Sequence, residues 1–197
     1  MQYRQDHGTS DWLGKALCRR YALVHFTDFH LSVLKSGGHH SRPWYWALAM
    51  FAPDEFEILG AWPADTSAVG SIAEDLRNRG ILSIRVVSIA DGQSTVPQLS
   101  RESWMTALQD AEPRVLEIIA PQSISGEAVE GVPSAAIRSA LNAAARIHGS
   151  LVRSARSRPP FASAAAASEF VADWLQKADQ RLYERRRPPR PVVAHAA

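Results

Sequence analysis

Two aspartates occupy the positions in this 197-residue chain where a carboxylate points most directly to chemistry. Asp28 lies inside an apolar and aromatic run over 22–34, where an unpaired carboxylate is costly. Asp91 follows a second apolar run over 81–90 and precedes Gly92. Side by side, two carboxylates are suitable ligands for Mg²⁺ or Mn²⁺, and two such ions support in-line phosphoryl transfer. The structural alternative is that Asp28 accommodates a local strand irregularity and that Asp91-Gly92 is a turn.

Four histidines, His25, His30, His39 and His40, lie close to the first aspartate in sequence. On a strand, the odd spacing of His25 and His30 places them on opposite faces, and His30 then shares a face with Asp28. A role in metal binding or proton transfer is therefore open. The alternative is that these histidines lie at the surface or form hydrogen bonds within the sheet.

Three apolar segments, 22–34, 44–51 and 56–62, are separated by short turn signals and predict an antiparallel meander. The second segment begins with three aromatic residues: Trp44, Tyr45 and Trp46. Aromatic side chains in a strand usually belong to the core. Stacking on nucleic-acid bases is the functional alternative for them.

The next part of the chain predicts helices that alternate with strands. Residues 66–79 have helical spacing and end at Gly80, 81–90 form a strand, 100–112 a second helix, and 114–119 a fifth strand. The resulting order, β-β-β-α-β-α-β, is that of a ribonuclease-H-like α/β fold with a mixed sheet. In that fold the first and fourth strands are neighbours, so we expect Asp28 and Asp91 to face each other.

The remaining residues divide the chain by composition and charge. Residues 1–137 hold 11 basic and 16 acidic residues, whereas 138–197 hold 11 and 4. Two alanine-rich helices over 134–156 and 163–187 predict an α-helical C-terminal extension that is basic. The predicted organisation is an N-terminal segment 1–20, a ribonuclease-H-like core 21–121, a linker 122–133, a helical hairpin 134–187 and a disordered tail 188–197.

The basic residues near the end of the chain are candidates for phosphate contacts. They are Arg181, Arg185, Arg186, Arg187 and Arg190. The structural alternative is a solvated helix whose C-terminal cations are favoured by the helix dipole. We expect DNA as a partner, and association with further copies of the chain as a homo-oligomer is left open.

Composition excludes several classes of protein. With 46% hydrophobic and 21% charged residues, the chain is not disordered throughout. A single cysteine, Cys18, excludes an intramolecular disulfide framework and a cysteine-rich zinc module. No apolar run approaches the ~20 residues of a membrane span, and the polar start lacks the apolar core of a secretory signal. We therefore predict a cytoplasmic protein that does not bind a membrane.

Three motifs lie in the middle of the chain: the strand 56–62, Phe-Glu-Ile-Leu-Gly-Ala-Trp, the helix end 74–81, Glu-Asp-Leu-Arg-Asn-Arg-Gly-Ile, and the strand that closes in Asp91-Gly92. Together they resemble the core of Mutator-type insertion-sequence transposases. The segment 27–33 resembles the strand that carries the first aspartate of that family. Under half of the chain, from about 23 to 109, takes part in the resemblance.

This resemblance implies a ribonuclease-H-like domain in which an Asp-Asp-Glu triad holds Mg²⁺ or Mn²⁺ to cut and join DNA strands. Asp28 and Asp91 match the first and second aspartates. The family's Cys-x-x-His element has no counterpart in 115–121, and neither Glu169 nor Glu184 lies in the context of the third acid. The chain therefore resembles a truncated or diverged transposase.

Three functions follow as hypotheses. The first is a transposase-related protein, active or inactive, with Asp28 and Asp91 as catalytic and metal-binding residues. The second is a non-catalytic DNA-binding or assembly protein derived from such an enzyme. The third is a small-molecule or histidine-metal enzyme on an unrelated α/β fold.

Overall fold

The computed structural model describes residues 12–36, 38–64, 68–89, 114–121, 124 and 128–186. These residues form five strands and three long helices. The strands are β1 (Arg20–Lys35), β2 (Gly38–Ala52), β3 (Glu55–Pro63), β4 (Ser83–Ile89) and β5 (Arg114–Ile119). The helices are α1 (Ala68–Asn78), between β3 and β4, and α2 (Ser134–Arg156) and α3 (Ala164–Arg186), which follow β5.

The strands form one mixed sheet in the order β3-β2-β1-β4-β5. β2 is antiparallel to both β1 and β3, whereas β4 is parallel to both β1 and β5. The predicted α/β class, with an antiparallel first half and a parallel second half, is therefore confirmed. β1 and β4 are neighbours, as the predicted order requires. The helix predicted over 100–112 lies outside the described residues.

Each face of the sheet has its own hydrophobic core because side chains alternate along the central strands. Leu23, Phe29 and Trp46 belong to the face that α2 and α3 cover. Val24 and Tyr45 belong to the opposite face, together with the apolar side of α1. Both cores contain large aromatic residues at the centre of the sheet.

The aromatic run at the start of the second predicted strand is part of these cores. Trp44, Tyr45 and Trp46 are only 1%, 0% and 0% exposed. Base stacking by these three side chains was therefore a wrong alternative, and the core assignment is confirmed.

The hairpin of β1 and β2 extends beyond the end of β4. The β1–β4 pairing ends with Phe26 opposite Ile89, whereas β1 continues to pair with β2 as far as Lys35. Beyond β4, the connection between α2 and α3 lies beside β1. Phe161 donates its backbone N–H to the Ser32 carbonyl and accepts from the Leu34 N–H, both at 2.8 Å.

Residues of the two sequence motifs over 56–62 and 74–81 form a packing network between β3 and α1. The Asp75 carboxylate accepts hydrogen bonds from Trp62 Nε1 at 3.1 Å and from Arg79 Nη1 at 3.2 Å. Arg79 is buried and also donates to the Lys15 carbonyl. Gly60 packs closely against Trp62 and Arg79, where an added Cβ would be in tight contact with both side chains. The sequence motif therefore fixes α1 on the sheet.

We expect Gly60→Ala to lower the free energy of unfolding by about 1–3 kcal/mol, as overpacking usually does. A Cβ at this position would lie 3.0 Å from Trp62 Cζ2 and 3.3 Å from Arg79 Nη1. The matched control is Gly70→Ala in α1, where a Cβ meets nothing within 4 Å. Because alanine favours a helix, the control gains about 0.5–1 kcal/mol. Urea denaturation of both variants measures the difference, and equal effects would contradict the packing role.

Candidate functional site

Asp28 lies on the central strand β1, at the point where β4 ends. It is half-buried and stands opposite Tyr45 of β2. The last β1–β4 pair is Phe26 with Ile89, so Asp28 follows that pair by two residues. The carboxylate therefore lies near the carboxyl end of β4, where a parallel sheet presents residues from neighbouring strands.

The second predicted catalytic residue, Asp91, lies outside the described residues. In the sequence it follows Ile89 by two residues, just as Asp28 follows Phe26. Among the described residues, no group of three or more histidine, cysteine, aspartate or glutamate side chains is arranged to hold a metal ion. Of the two predicted metal ligands, Asp28 is the one that lies among the described residues.

A buried histidine lies three positions before Asp28 on the same strand. His25 is 7% exposed, and its Nδ1 lies 3.1 Å from Oγ of Ser88 on β4. Burial lowers the pKa of His25 to about 4; the Ser88 contact opposes this shift and nearby His148 adds to it. His25 is therefore neutral at pH 7. Because Ser88 is fully buried and His25 nearly so, this pair is shielded from solvent.

His148 approaches the same region from α2. Its Nδ1 accepts a hydrogen bond from Trp46 Nε1 at 3.5 Å, so the neutral ring carries its proton on Nε2. Burial lowers the pKa of His148, and the negative charge of Asp28 opposes that shift. The described region thus contains one carboxylate and two histidines whose pKa values are lowered, with the Asp28 side chain on the face of β1 opposite His25.

The four histidines that lie close to Asp28 in sequence have different environments. His25 is buried, whereas His30, His39 and His40 are exposed on the extended part of the hairpin. The register places His30 and Asp28 on one face and His25 on the other, as their spacing predicted. A further histidine, His148, reaches this region from a position 123 residues beyond His25 in the sequence. In the sequence, the signal for His148 is its position on the apolar side of helix α2.

The predicted DNA-binding arginines lie at the end of α3 and beyond. Arg181 and Arg185 are exposed. The side chain of Arg186, together with Arg187 and Arg190, lies outside the described residues, as does the tail over 188–197. The charges along α3 are mixed, because Lys177 pairs with Asp173 at 2.8 Å and Gln180 bonds to Glu184.

Comparison with known proteins does not assign a family. No family model matches the chain, and a search of curated proteins finds no match. None of the helices among the described residues has the length and apolar character needed to cross a membrane.

Proposed function

We propose that this chain is a transposase-related protein with a ribonuclease-H-like fold that acts on DNA. The observation that carries the proposal is the sheet order β3-β2-β1-β4-β5 with Asp28 on the central strand, beside the end of parallel β4. In the sequence Asp91 follows Ile89 by two positions, as Asp28 follows Phe26, and this matched spacing supports the proposal that the two carboxylates meet.

Asp28 and Asp91 are the residues proposed to hold Mg²⁺ or Mn²⁺. Their carboxylates are the oxygen ligands that these ions favour, and the half-buried position of Asp28 suits a site partly shielded from water. A bound cation would supply Lewis-acid stabilisation of the phosphoryl oxygens during strand cleavage. Burial lowers the pKa values of His25 and His148, which favours their neutral forms, so they add little positive charge near the proposed cation.

The second candidate function is a non-catalytic DNA-binding or assembly protein derived from a transposase. The sequence departures favour it: residues 115–121 contain neither cysteine nor histidine, and no glutamate has the context of a third metal ligand. Both candidates share the fold and the DNA partner. They differ in whether the chain binds a divalent cation and cuts DNA.

The separating experiment measures Mn²⁺ binding by calorimetry and nicking of supercoiled plasmid by the full chain. The first candidate predicts binding and nicking by the wild type, and loss of both in Asp28→Asn and in Asp91→Asn. Asp54→Asn is the matched control, because Asp54 is exposed in the β2–β3 turn, far from the site in sequence. Asparagine tolerates its positive φ of 59°.

The possible outcomes distinguish the two candidate functions. DNA binding by a wild-type chain that neither binds Mn²⁺ nor nicks DNA would favour the non-catalytic candidate. Nicking that persists in the Asp28→Asn, Asp91→Asn double variant would contradict the proposed site. Circular dichroism should show all variants folded, since removing one of two like charges relieves repulsion in a metal-free site.

A further inference from the structure

Helix α2 presents a line of arginines to solvent along its full length. Arg138, Arg146, Arg153 and Arg156 are all exposed and are called the arginine stripe below. At 3.6 residues per turn they fall within an arc of about 80° and span ~27 Å. The buried residues of α2, among them Ile137, Ala144 and Leu151, lie on the opposite side, against the sheet.

Acidic residues are absent from the sequence segments that surround the stripe, although Asp54, in the β2–β3 turn, accepts a hydrogen bond from Ser139 Oγ on α2 at 2.6 Å. The segments 29–52 and 131–168 contain no aspartate or glutamate. None of the four arginines forms an ion pair with a carboxylate of the described residues. By contrast, the cations of α1 and the middle of α3 have intrahelical partners, such as Arg77 with Glu74 and Lys177 with Asp173.

The requirements of the helix itself do not explain the stripe. A helix dipole favours cations in the last turn, which accounts for Arg153 and Arg156. It does not account for Arg138 near the beginning of α2, where the dipole favours acidic residues and the first turn has none. Arg153 and Arg156 are also like charges three positions apart, which is unfavourable in a free helix. Such an arrangement points to a ligand of opposite charge.

The positive surface continues from α2 onto the β1–β2 hairpin. Arg158 follows the helix and lies over the Phe170 ring at 4.7 Å from its centroid. Three residues later, Phe161 pairs with β1. The hairpin carries exposed Lys35 and Arg42. The surface therefore extends toward the strand that carries Asp28.

We propose that the arginine stripe is a binding surface for the phosphate backbone of duplex DNA, without sequence preference. This proposal rests on the proposed function, from which we take DNA as the polyanion. Duplex DNA carries one negative charge per ~1.7 Å of axis, which suits a straight, rigid line of cations. A membrane surface fits less well, because the apolar side of α2 is buried. The exposed side of α2 has no aromatic residue on which single-stranded bases would stack.

The test is a salt titration of binding by the full chain to a labelled 20-base-pair duplex in EDTA, followed by anisotropy. The stripe variant replaces Arg138, Arg146, Arg153 and Arg156 by Gln. The matched control replaces Arg19, Arg20, Arg77 and Arg114 by Gln. These four arginines are exposed and lie outside α2 and α3, so the control removes the same charge from other surfaces. A third variant places Lys at the four stripe positions. Circular dichroism checks that each variant is folded.

We expect the stripe variant to bind about 100-fold more weakly at 50 mM salt and to reduce the log–log salt slope by about 3–4, one unit per lost phosphate contact. The control should change the affinity less than threefold, and the Lys variant should restore the slope. If the stripe variant does not fold, Arg138→Gln and Arg146→Gln should each reduce the slope by about 1.

Equal losses in the stripe variant and the control would overturn the proposal in favour of net charge. Unchanged binding by the stripe variant would overturn it in favour of the C-terminal arginines. A stripe variant that loses binding to phosphatidylserine vesicles but not to DNA would overturn it in favour of a membrane. Because the assay contains no metal, it is independent of cleavage. A chain that binds through the stripe but never nicks DNA overturns the cleavage proposal alone.

Discussion

Asp179→Ala should lower the free energy of unfolding by about 3 kcal/mol, because one carboxylate on α3 connects three parts of the fold. Asp179 Oδ2 accepts from Lys15 Nζ at 2.6 Å and from Trp12 Nε1 at 3.1 Å. Its Oδ1 accepts the backbone N–H of Ile58 on the edge strand β3 at 2.8 Å. The side chains of Lys15 and Asp179 are only 15% and 14% exposed. Removing the carboxylate leaves three donors without their acceptor, one of them charged.

The control for this prediction is Asp173→Ala, six residues earlier on α3. Asp173 makes an exposed ion pair with Lys177, which contributes about 0.3–0.5 kcal/mol at most. Asp173→Ala should therefore leave the urea midpoint nearly unchanged, whereas Asp179→Ala should lower it with an unchanged slope. Asp179→Asn keeps an acceptor for Ile58 and should lose about half as much. Equal midpoints for the two alanine variants would contradict the anchoring role.

Local patterns in the sequence predict most of the sheet. The strand over 114–119 and the helix over 134–156 agree with β5 and α2 as the structure has them. β2 begins at Gly38, earlier than the predicted 44, because the polar residues 38–43 have no strand pattern of their own. Their strand conformation comes from the in-register pairing of the hairpin, in which Gly38 faces Lys35.

The contacts that the sequence does not predict join segments that are far apart in the chain. His148 meets Trp46 across 102 positions, and Asp179 meets Ile58 across 121. No local pattern encodes either contact, because both arise when α2 and α3 pack on the sheet. The arginine stripe differs in this respect. A helical projection of 134–156 places its four arginines opposite the apolar side, so the sequence alone is enough to predict this surface. The total charge of the segment, however, favoured the C-terminal arginines as the predicted DNA contacts.

The buried histidine on β1 should make the protein less stable in mild acid. Burial lowers the pKa of His25 to about 4 from an ordinary 6.5. The unfolded chain therefore binds a proton in a range where the folded chain does not. The stabilising contribution of neutral His25 is complete above pH 6.5 and is lost as the pH falls toward 4. A shift of this size corresponds to about 3 kcal/mol, of which ~2.5 kcal/mol is lost by pH 4.5.

His25→Asn isolates this contribution, since asparagine keeps a polar group near Ser88 Oγ but does not titrate. Urea unfolding between pH 7.5 and 4.5 should show wild type losing about 2–3 kcal/mol more than the variant. Carboxylates that titrate in the same range affect both proteins and cancel in the difference. His148, whose pKa burial also lowers, remains in both proteins. His39→Asn, at an exposed position of β2, is the control and should follow the wild-type curve. If His25→Asn retains the full wild-type pH dependence, the acid sensitivity does not originate at the buried His25–Ser88 pair.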